Sequence, residues 1–446
     1  MTQGARFFIE TWGCQMNELD SRRMAGQLER QGMVRTDQPA AAEVILLNSC
    51  SVREKAEHKS YSRLGEYRLL KQERPELQIG FCGCVAQQEG EKALRRAPEL
   101  DFVVGTGRVG ELARIVEQVR QTGRRIVATG FPADRHYDID AISRDESHKG
   151  MVTVIEGCDK RCTFCIVPTT RGPERSRPLA DILREVEHLV ELGFAEIELL
   201  GQTVNHWREP VDERGCGREL DFADLLDAVA AIPGVLRLRF VTSYPRDFTP
   251  RMVERYRMHP NLCDYLHLPV QSGSNRVLKR MGRGYDVASY RELLDRLRDA
   301  RPALAISTDI IVGFPGEDEE DFERTLELVS ASRFTNVFAF KYSPRPDTAA
   351  TRLPEGPVSE EVADRRLQRL FDCQAAIQRE LNRELIGRKV EALVTGTSRQ
   401  PGYLAARTSC HRVVHFATDG DEPIGSLVRL RVTSAHTHSL LAERLL

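Results

Sequence analysis

Three cysteines crowd into eight residues, Cys158-Asp159-Lys160-Arg161-Cys162-Thr163-Phe164-Cys165, directly after the apolar run Val152–Ile155. A cubane [4Fe–4S] cluster has four irons and normally takes four thiolates. A C-x3-C-x2-C loop therefore leaves one iron without a protein ligand. An open coordination position is what substrate chemistry at a metal requires, whereas closed sites are structural. The competing reading is a zinc knuckle completed by His148 or by a distant cysteine. Its weakness is position, since the loop opens a run of β/α units and zinc knuckles do not usually sit at the mouth of a barrel.

Four more cysteines, Cys14, Cys50, Cys82 and Cys84, fall in the first hundred residues. The total of eleven is odd and unevenly spaced, which argues for metal over a disulfide framework. The elements that must position them alternate up to about residue 125. Expected are strand Phe7–Glu10, helix Asn17–Gln31, strand Val44–Asn48, a charged helix from Glu54 to about Gln72, and strand Leu77–Phe81. A helix over Gln87–Arg96, strand Asp101–Val104 and a helix over Glu111–Arg120 complete the run. Such alternation predicts a parallel, doubly wound sheet. Cys14, Cys50 and Cys84 each stand just past one of its first three strands. The carboxyl ends of strands in an open α/β sheet share one crevice, so three cysteines far apart in sequence converge. Cys82 and Cys84 would face the same side of an extended strand, and spacing alone does not choose between them.

Residues 125–150 lack periodicity and read as a linker. From Met151 a second alternation begins: strand Val152–Ile155, helix Leu179–Glu191, strand Glu196–Leu200, helix Phe222–Ala231, strand Leu236–Val241 and helix Pro250–Met258. Strand Tyr265–Leu268, a helical pair within Asn275–Asp299, strand Ala305–Val312, helix Glu319–Ser332 and strand Asn336–Tyr342 follow. Six such units predict a partial (β/α)6 barrel, TIM-like, with its site at the carboxyl ends of the strands. A charged helix over Ser359–Leu385 leads to strand-like Val390–Thr395, Arg412–Phe416 and Leu427–Val432, which predict a small all-β barrel. The expected α/β architecture thus divides into residues 1–125, a linker 126–150, residues 151–375 and residues 376–446.

The chain of 446 residues needs more than one core. A hydrophobic fraction of 41% and a charged fraction of 29% suit a globular protein, and the net charge of −2 excludes a global basic field. A nucleic-acid partner would have to be held locally. Residues 376–446 carry ten Arg/Lys against seven Asp/Glu, a modest local excess. The longest apolar runs are strand-sized, far from the roughly 18 residues of a membrane span. The N-terminus shows no cleavable signal pattern, so a cytoplasmic location is expected, where cysteines stay reduced unless they hold metal or do redox work.

The three-cysteine spacing is that of the radical S-adenosylmethionine superfamily, which the chain resembles. Thr11-Trp12-Gly13-Cys14-Gln15-Met16-Asn17-Glu18, Asn48-Ser49-Cys50-Ser51-Val52-Arg53-Glu54-Lys55-Ala56 and Gly83-Cys84-Val85-Ala86-Gln87 look like the three cysteine segments of its methylthiotransferases. Ile166-Val167-Pro168-Thr169-Thr170-Arg171-Gly172, Leu200-Gly201-Gln202-Thr203-Val204-Asn205 and His267-Leu268-Pro269-Val270-Gln271-Ser272-Gly273-Ser274 match the same family, and the last segment resembles a TRAM domain, an RNA-binding module. Gln15-Met16-Asn17 and Ser51–Ala56 are closest to the MiaB type, which makes 2-methylthio-N6-isopentenyladenosine in tRNA, next to the anticodon. The resemblance implies a [4Fe–4S] cluster on Cys158, Cys162 and Cys165 whose open iron binds S-adenosylmethionine and yields a 5′-deoxyadenosyl radical. It implies a second [4Fe–4S] cluster on Cys14, Cys50 and Cys84 that carries the sulfur, with Cys84 and not Cys82 as the ligand. It also implies S-adenosylmethionine as methyl donor and the tRNA anticodon stem-loop as partner; a reductant such as flavodoxin or ferredoxin is expected, and nothing in the sequence demands more than a monomer.

Weaker signals concern the cofactor and the RNA. Gly201 and Gln202 occupy the place where related enzymes bind the cofactor's amino group, though a Gly-Gly-Glu triplet is absent. Thr242, Ser243, Gln271 and Ser272 end the next two barrel strands and could meet its ribose or carboxylate; structural capping is the rival. Gly313, in Gly313-Phe314-Pro315-Gly316-Glu317, lies where the superfamily holds adenine, and Arg345 ends the sixth strand as an anion partner or a surface ion pair. Arg171, Arg175 and Arg177 are candidates for the RNA backbone. In the β domain, Arg407, Arg412, Arg429 and Arg431 beside His411, His415, His436 and His438 suggest phosphate contacts, solvated histidines being the bland alternative. Cys216, Cys263, Cys373 and Cys410 have no partner at metal spacing. Rival readings are a methylthiotransferase for threonylcarbamoyladenosine or for an aspartate of a ribosomal protein, and a non-catalytic RNA-binding iron–sulfur sensor.

Overall fold

In the computed structural model, which describes residues 4–51, 54–132, 148–209, 218–418, 420 and 422–445, the first apolar runs form one six-stranded sheet. Its strands are β1 Arg6–Trp12, β2 Val34–Arg35, β3 Val44–Ser49, β4 Gln78–Gly83, β5 Phe102–Val104 and β6 Ile126–Ala128, in the order β2-β1-β3-β4-β5-β6. Every pairing is parallel. β3 and β4 are buried at every position, which is why they read as continuous apolar runs. Val44 and Leu46 face one core with Phe7 of β1 and with Met24, Leu28, Ile115 and Val116 from the helices Gln15–Arg30 and Leu112–Thr122. Ile45 and Leu47 face the other, with Leu64 and Tyr67 of the helix Glu54–Glu73. Two covered faces make the sheet doubly wound, and its order reverses direction between β1 and β3, a switch point where such sheets bind ligands.

Two local expectations change here. The helix expected over 87–96 is a pair, Cys84–Glu89 and Glu91–Arg96, broken at Gly90 with φ 51°. Ile126–Ala128, inside the stretch read as a linker, pairs with β5 as an edge strand; residues 133–147 of that stretch lie outside the described residues.

The chain divides into two compact units, and the second comprises residues 146–155, 161–164 and 176–446. It contains β7 Lys149–Thr153, β8 Glu196–Leu200 and β9 Arg237–Phe240 in one parallel ladder, and β10 Tyr265–His267, β11 Ala305–Val312 and β12 Asn336–Lys341 in another. A backbone bridge from Leu238 to Leu262 joins the two ladders into a partial barrel. Its apolar side packs against Leu179–Glu191, Phe222–Ala230, Pro250–Met258, Val287–Ala300 and Glu319–Ser332. Alternate positions carry a polar set, with Lys149 Nζ 2.9 Å from Glu198 and Arg239 Nε 3.2 Å from Glu196.

After the helix Glu360–Arg383, five strands close a small barrel: β13 Lys389–Thr397, β14 Tyr403–Thr408, β15 Val413–Ala417, β16 Leu427–Ala435 and β17 Ser439–Arg444. β14 and β17 are absent from the sequence expectation because Leu, Ala, Glu and Arg dominate them, and these favour helix. Closure gives each a partner on both sides and overrides that propensity. Among the described residues, no helix is long and apolar enough to cross a membrane.

Candidate metal centres and the barrel mouth

β1, β3 and β4 are adjacent and in register, with Trp12 opposite Ser49 and Ser49 opposite Gly83. Their next residues therefore meet. Cys14 begins the turn into its helix, the Cys50 amide donates to the Trp12 carbonyl at 2.9 Å, and Cys84 opens a helix. The Cys50 thiol hydrogen-bonds both Cys14 and Cys84. Cys14 is exposed, while Cys50 and Cys84 are buried. Gly83, at φ 92° and ψ −156°, turns the chain out of the strand alternation. Cys82 consequently stays fully buried in the core, and Cys84 swings to the other two thiols. Gly13 has the complementary duty, since a Cβ there would lie 2.8 Å from that of Cys50.

A polar frame supports the trio. The Asn48 amide donates to the Asn17 carbonyl and to Ser21 Oγ, both at 2.8 Å, while Asn17 Nδ2 donates to Asn48 Oδ1 at 3.1 Å. Asn17 Oδ1 is 3.4 Å from the Cys14 sulfur. Arg171, buried at 5% exposure, pairs at 2.7 Å with Asp20, buried at 2%. The Cys50 hydrogen bond, with help from the Arg171 charge and against burial, lowers Cys14 to about 6 and Cys84 to about 7. Cys50 is pushed up by the same two hydrogen bonds and by burial. Three soft donors, two of them biased toward thiolate beside a buried cation, fit an iron–sulfur cluster. Among the described residues, no three His, Cys, Asp or Glu side chains surround a single metal-ion position.

The loop of Cys158, Cys162 and Cys165 follows β7. Within the first unit, which also takes in residues 156–160 and 165–175, Cys158 is buried and its amide donates to the Gly172 carbonyl at 3.1 Å. Within the second, the Cys162 sulfur accepts from Arg283 Nη1 at 3.3 Å. Arg283 is itself locked: Nε donates to the Tyr285 hydroxyl at 2.8 Å, Nη2 donates to the Pro269 carbonyl at 3.0 Å, and its guanidinium lies 4.4 Å from the Tyr244 ring centre. No spacing rule marks Arg283 or Asp20 in the sequence, whereas Asn17 and Asn48 stand within the cysteine segments quoted above. Their partners lie on other segments.

At the barrel mouth, Thr242 and Gln271 follow β9 and β10 with φ of 68° and 76°. Left-handed backbone at non-glycine residues is strained and clusters at ligand sites. Ser243 is buried, and its hydroxyl has no hydrogen-bond partner among the described residues. Gly201 directly follows β8, where a Cβ would lie 2.4 Å from Ile155 Cγ2, and Gln202 is next to it. The Asn205 side chain clasps the Tyr244 backbone in both directions, at 2.9 and 2.8 Å, tying the loops after β8 and β9. Gly313, at φ 72°, donates its amide to Glu317 Oε2 at 2.6 Å. Arg345 is buried. Ser272 is engaged locally, accepting from the Ser274 amide at 3.2 Å and lying 3.5 Å from Thr325 Oγ1.

Several expected RNA contacts are structural instead. Arg171 is the partner of Asp20, and buried Arg177 pairs with Glu185 at 2.6 Å and with the Thr153 carbonyl at 2.7 Å. Arg175 is exposed. His411 stacks on Tyr265 with ring centres 4.6 Å apart, and burial beside Arg239, Arg407 and Lys149 pulls it down to about 2. Arg407 donates to the His411 carbonyl at 3.2 Å, and Arg412 donates to Asn382 Oδ1 at 2.8 Å and to the Cys410 sulfur at 3.1 Å. The His411–Tyr265 stack joins the small barrel to the larger one, and the Arg412–Asn382 bond ties it to the helix Glu360–Arg383. Arg429, Arg431, His436 and His438 are exposed, and His415 is half-buried. Cys263 is buried, Cys373 lies 3.4 Å from Ser330 Oγ, and Cys216 lies outside the described residues.

Comparison with known proteins places this geometry. Residues 152–329 match the model of the radical SAM superfamily, residues 6–105 that of the uncharacterized protein family UPF0004, and residues 383–445 that of the TRAM domain. Among solved structures, the radical S-adenosylmethionine methyltransferase TsrM from Kitasatospora setae is similar with TM-score 0.55 at 13% identity, over 90% of this chain and 80% of its own, a likeness of fold. The tRNA-2-methylthio-N(6)-dimethylallyladenosine synthase of Aromatoleum aromaticum is 46% identical over 98% of both chains. That of Cereibacter sphaeroides is 44% identical over the full length of both, and that of Solibacter usitatus is 42% identical over 99% of this chain and 98% of its own. The chain belongs to the family of tRNA-2-methylthio-N(6)-dimethylallyladenosine synthases.

Proposed function

We propose that this chain is a radical S-adenosylmethionine methylthiotransferase that inserts a methylthio group at C2 of N6-isopentenyladenosine, adenosine 37 of tRNA, giving 2-methylthio-N6-isopentenyladenosine. Full-length similarity to synthases of that name supports the reaction. The observation that carries it is the convergence of Cys14, Cys50 and Cys84 past the carboxyl ends of three adjacent strands, apart in sequence from the three-cysteine loop. Each trio would hold a [4Fe–4S] cluster by three thiolates. Bound with S-adenosylmethionine, the clusters would supply a carbon-centred radical and the sulfur that is transferred.

The chain's own residues orient and enclose. Arg283 holds Cys162 against the loops after β9 and β10. Gly201, Gln202, Thr242, Ser243, Gln271, Gly313 and Arg345 supply the backbone approach and polar groups for S-adenosylmethionine. Ser272, bonded within its own loop, contributes by fixing the turn that carries Gln271. Arg429, Arg431, His436 and His438 present an exposed face for the anticodon stem-loop, giving affinity with little sequence information. A flavodoxin or ferredoxin supplies electrons to a monomer in the cytoplasm.

Nucleoside analysis of tRNA from a deletion strain tests the substrate. Accumulated N6-isopentenyladenosine with loss of its 2-methylthio form supports the reading. Loss of a methylthiolated threonylcarbamoyladenosine, or an unchanged tRNA profile, overturns it.

A further inference from the structure

We propose that Arg171, held by Asp20, is the positioning residue of the Cys14–Cys50–Cys84 site, donating an N–H to the sulfur held there and setting its reduction potential. The proposal rests on the reading that this trio holds a [4Fe–4S] cluster. Arg171 ends the short helix Val167–Arg171, which packs on the helix begun by Cys84. Its Nη1 meets Asp20 Oδ2 at 2.7 Å. Its Nη2 is buried and has no hydrogen-bond partner among the described residues.

That combination is unfavourable without a further acceptor. A buried ion pair barely repays its desolvation, and a leftover buried N–H adds a penalty of its own. Such an orphan, on a guanidinium whose charge acts on Cys14 and Cys84, is accounted for by a sulfur acceptor. Asp20 is braced from its other side by Arg23 at 3.7 Å, and Arg23 also reaches Glu156 at 3.6 Å. The carboxylate is thus tied to two guanidiniums, and Arg171 is the cation whose field reaches both Cys14 and Cys84. Hydrogen bonds and positive charge at cluster sulfurs favour the reduced, more negative state, so they raise the potential.

The test uses the full chain with Cys158, Cys162 and Cys165 all replaced by Ala, so that one site remains, and follows an anaerobic redox titration by electron paramagnetic resonance. Arg171→Met is expected to move the midpoint to more negative potential, and Arg171→Lys to restore part of the shift. Asp20→Asn, which leaves the guanidinium unneutralised, is expected to move it the other way. A packing role alone would not give opposite signs. Unchanged midpoints in Arg171→Met and Asp20→Asn, with about four irons per chain retained, overturn the proposal. If Arg171→Met does not retain iron, Asp20→Asn decides alone, a zero or negative shift being fatal. A parent chain without iron instead overturns the underlying cluster reading, and the proposal with it.

Discussion

Asn48→Ala is the most informative single change in the frame of the cysteine trio. Asn48 is fully buried at the end of β3, two residues before Cys50. Its side chain donates to the Asn17 carbonyl and Ser21 Oγ at 2.8 Å and accepts from Asn17 Nδ2 at 3.1 Å. Ala deletes all three bonds and leaves their partners buried. At a net of about 1 kcal/mol per hydrogen bond the loss is about 3 kcal/mol. With tenfold per 1.4 kcal/mol, local opening becomes roughly 100-fold more frequent. Hydrogen exchange of the metal-free chain, read by mass spectrometry, reports that directly. Peptides covering β1 and β3 should exchange roughly 100-fold faster, while those of β10 and β11 stay unchanged. An acceleration of less than about threefold in the β1 and β3 peptides would refute the view that this amide network sets the trio's geometry.

Gly83→Ala places a Cβ 2.2 Å from Asn48 Oδ1 and 2.7 Å from the Ser49 carbonyl at a backbone angle reserved for glycine. A destabilisation of about 2–4 kcal/mol should appear in the same exchange experiment, centred on β4. His411 stays neutral when folded because of its burial and of Arg239, Arg407 and Lys149, whereas in the unfolded chain it titrates near its ordinary 6.5. The unfolded chain therefore binds more protons below pH 6.5, and stability falls as pH drops through that window. The loss is about 2 kcal/mol at pH 5 relative to pH 8. Pulse proteolysis of residues 389–445 should show it, and His411→Phe should flatten it; an equal acid loss in the variant would contradict the assignment. Arg283→Met removes the donor to the Cys162 sulfur and unlocks two loops of the barrel mouth. It should lower reductive cleavage of S-adenosylmethionine at least tenfold, measured as 5′-deoxyadenosine, without loss of the helical circular-dichroism signal.

The architecture was legible because its signals are local and periodic. Glu196–Leu200, Ala305–Val312 and the helices Leu179–Glu191, Pro250–Met258 and Glu319–Ser332 run over the residues that their patterns predict. The convergence of Cys14, Cys50 and Cys84 was legible too, since parallel pairing puts successive strand ends side by side. What the sequence hid is whatever depends on a distant partner. Cys82 and Cys84 are equivalent by spacing, and only the turn at Gly83 separates them. Arg171, Arg177, Arg407 and His411 look like an RNA-facing set because they are charged and near turns, yet each is used inside the protein. Asp20 and Arg283 carry no motif at all. β14 and β17 read as helix-formers until the closed barrel supplies neighbours.

The central claim is that two separate trios of cysteines each hold a four-iron cluster. Anaerobic iron and sulfide analysis with Mössbauer spectroscopy tests it most directly, on the intact chain and on the two triple-alanine variants. About eight irons per intact chain and about four in each variant are predicted. About four irons in the intact chain, all retained when Cys14, Cys50 and Cys84 are replaced by Ala, would contradict it.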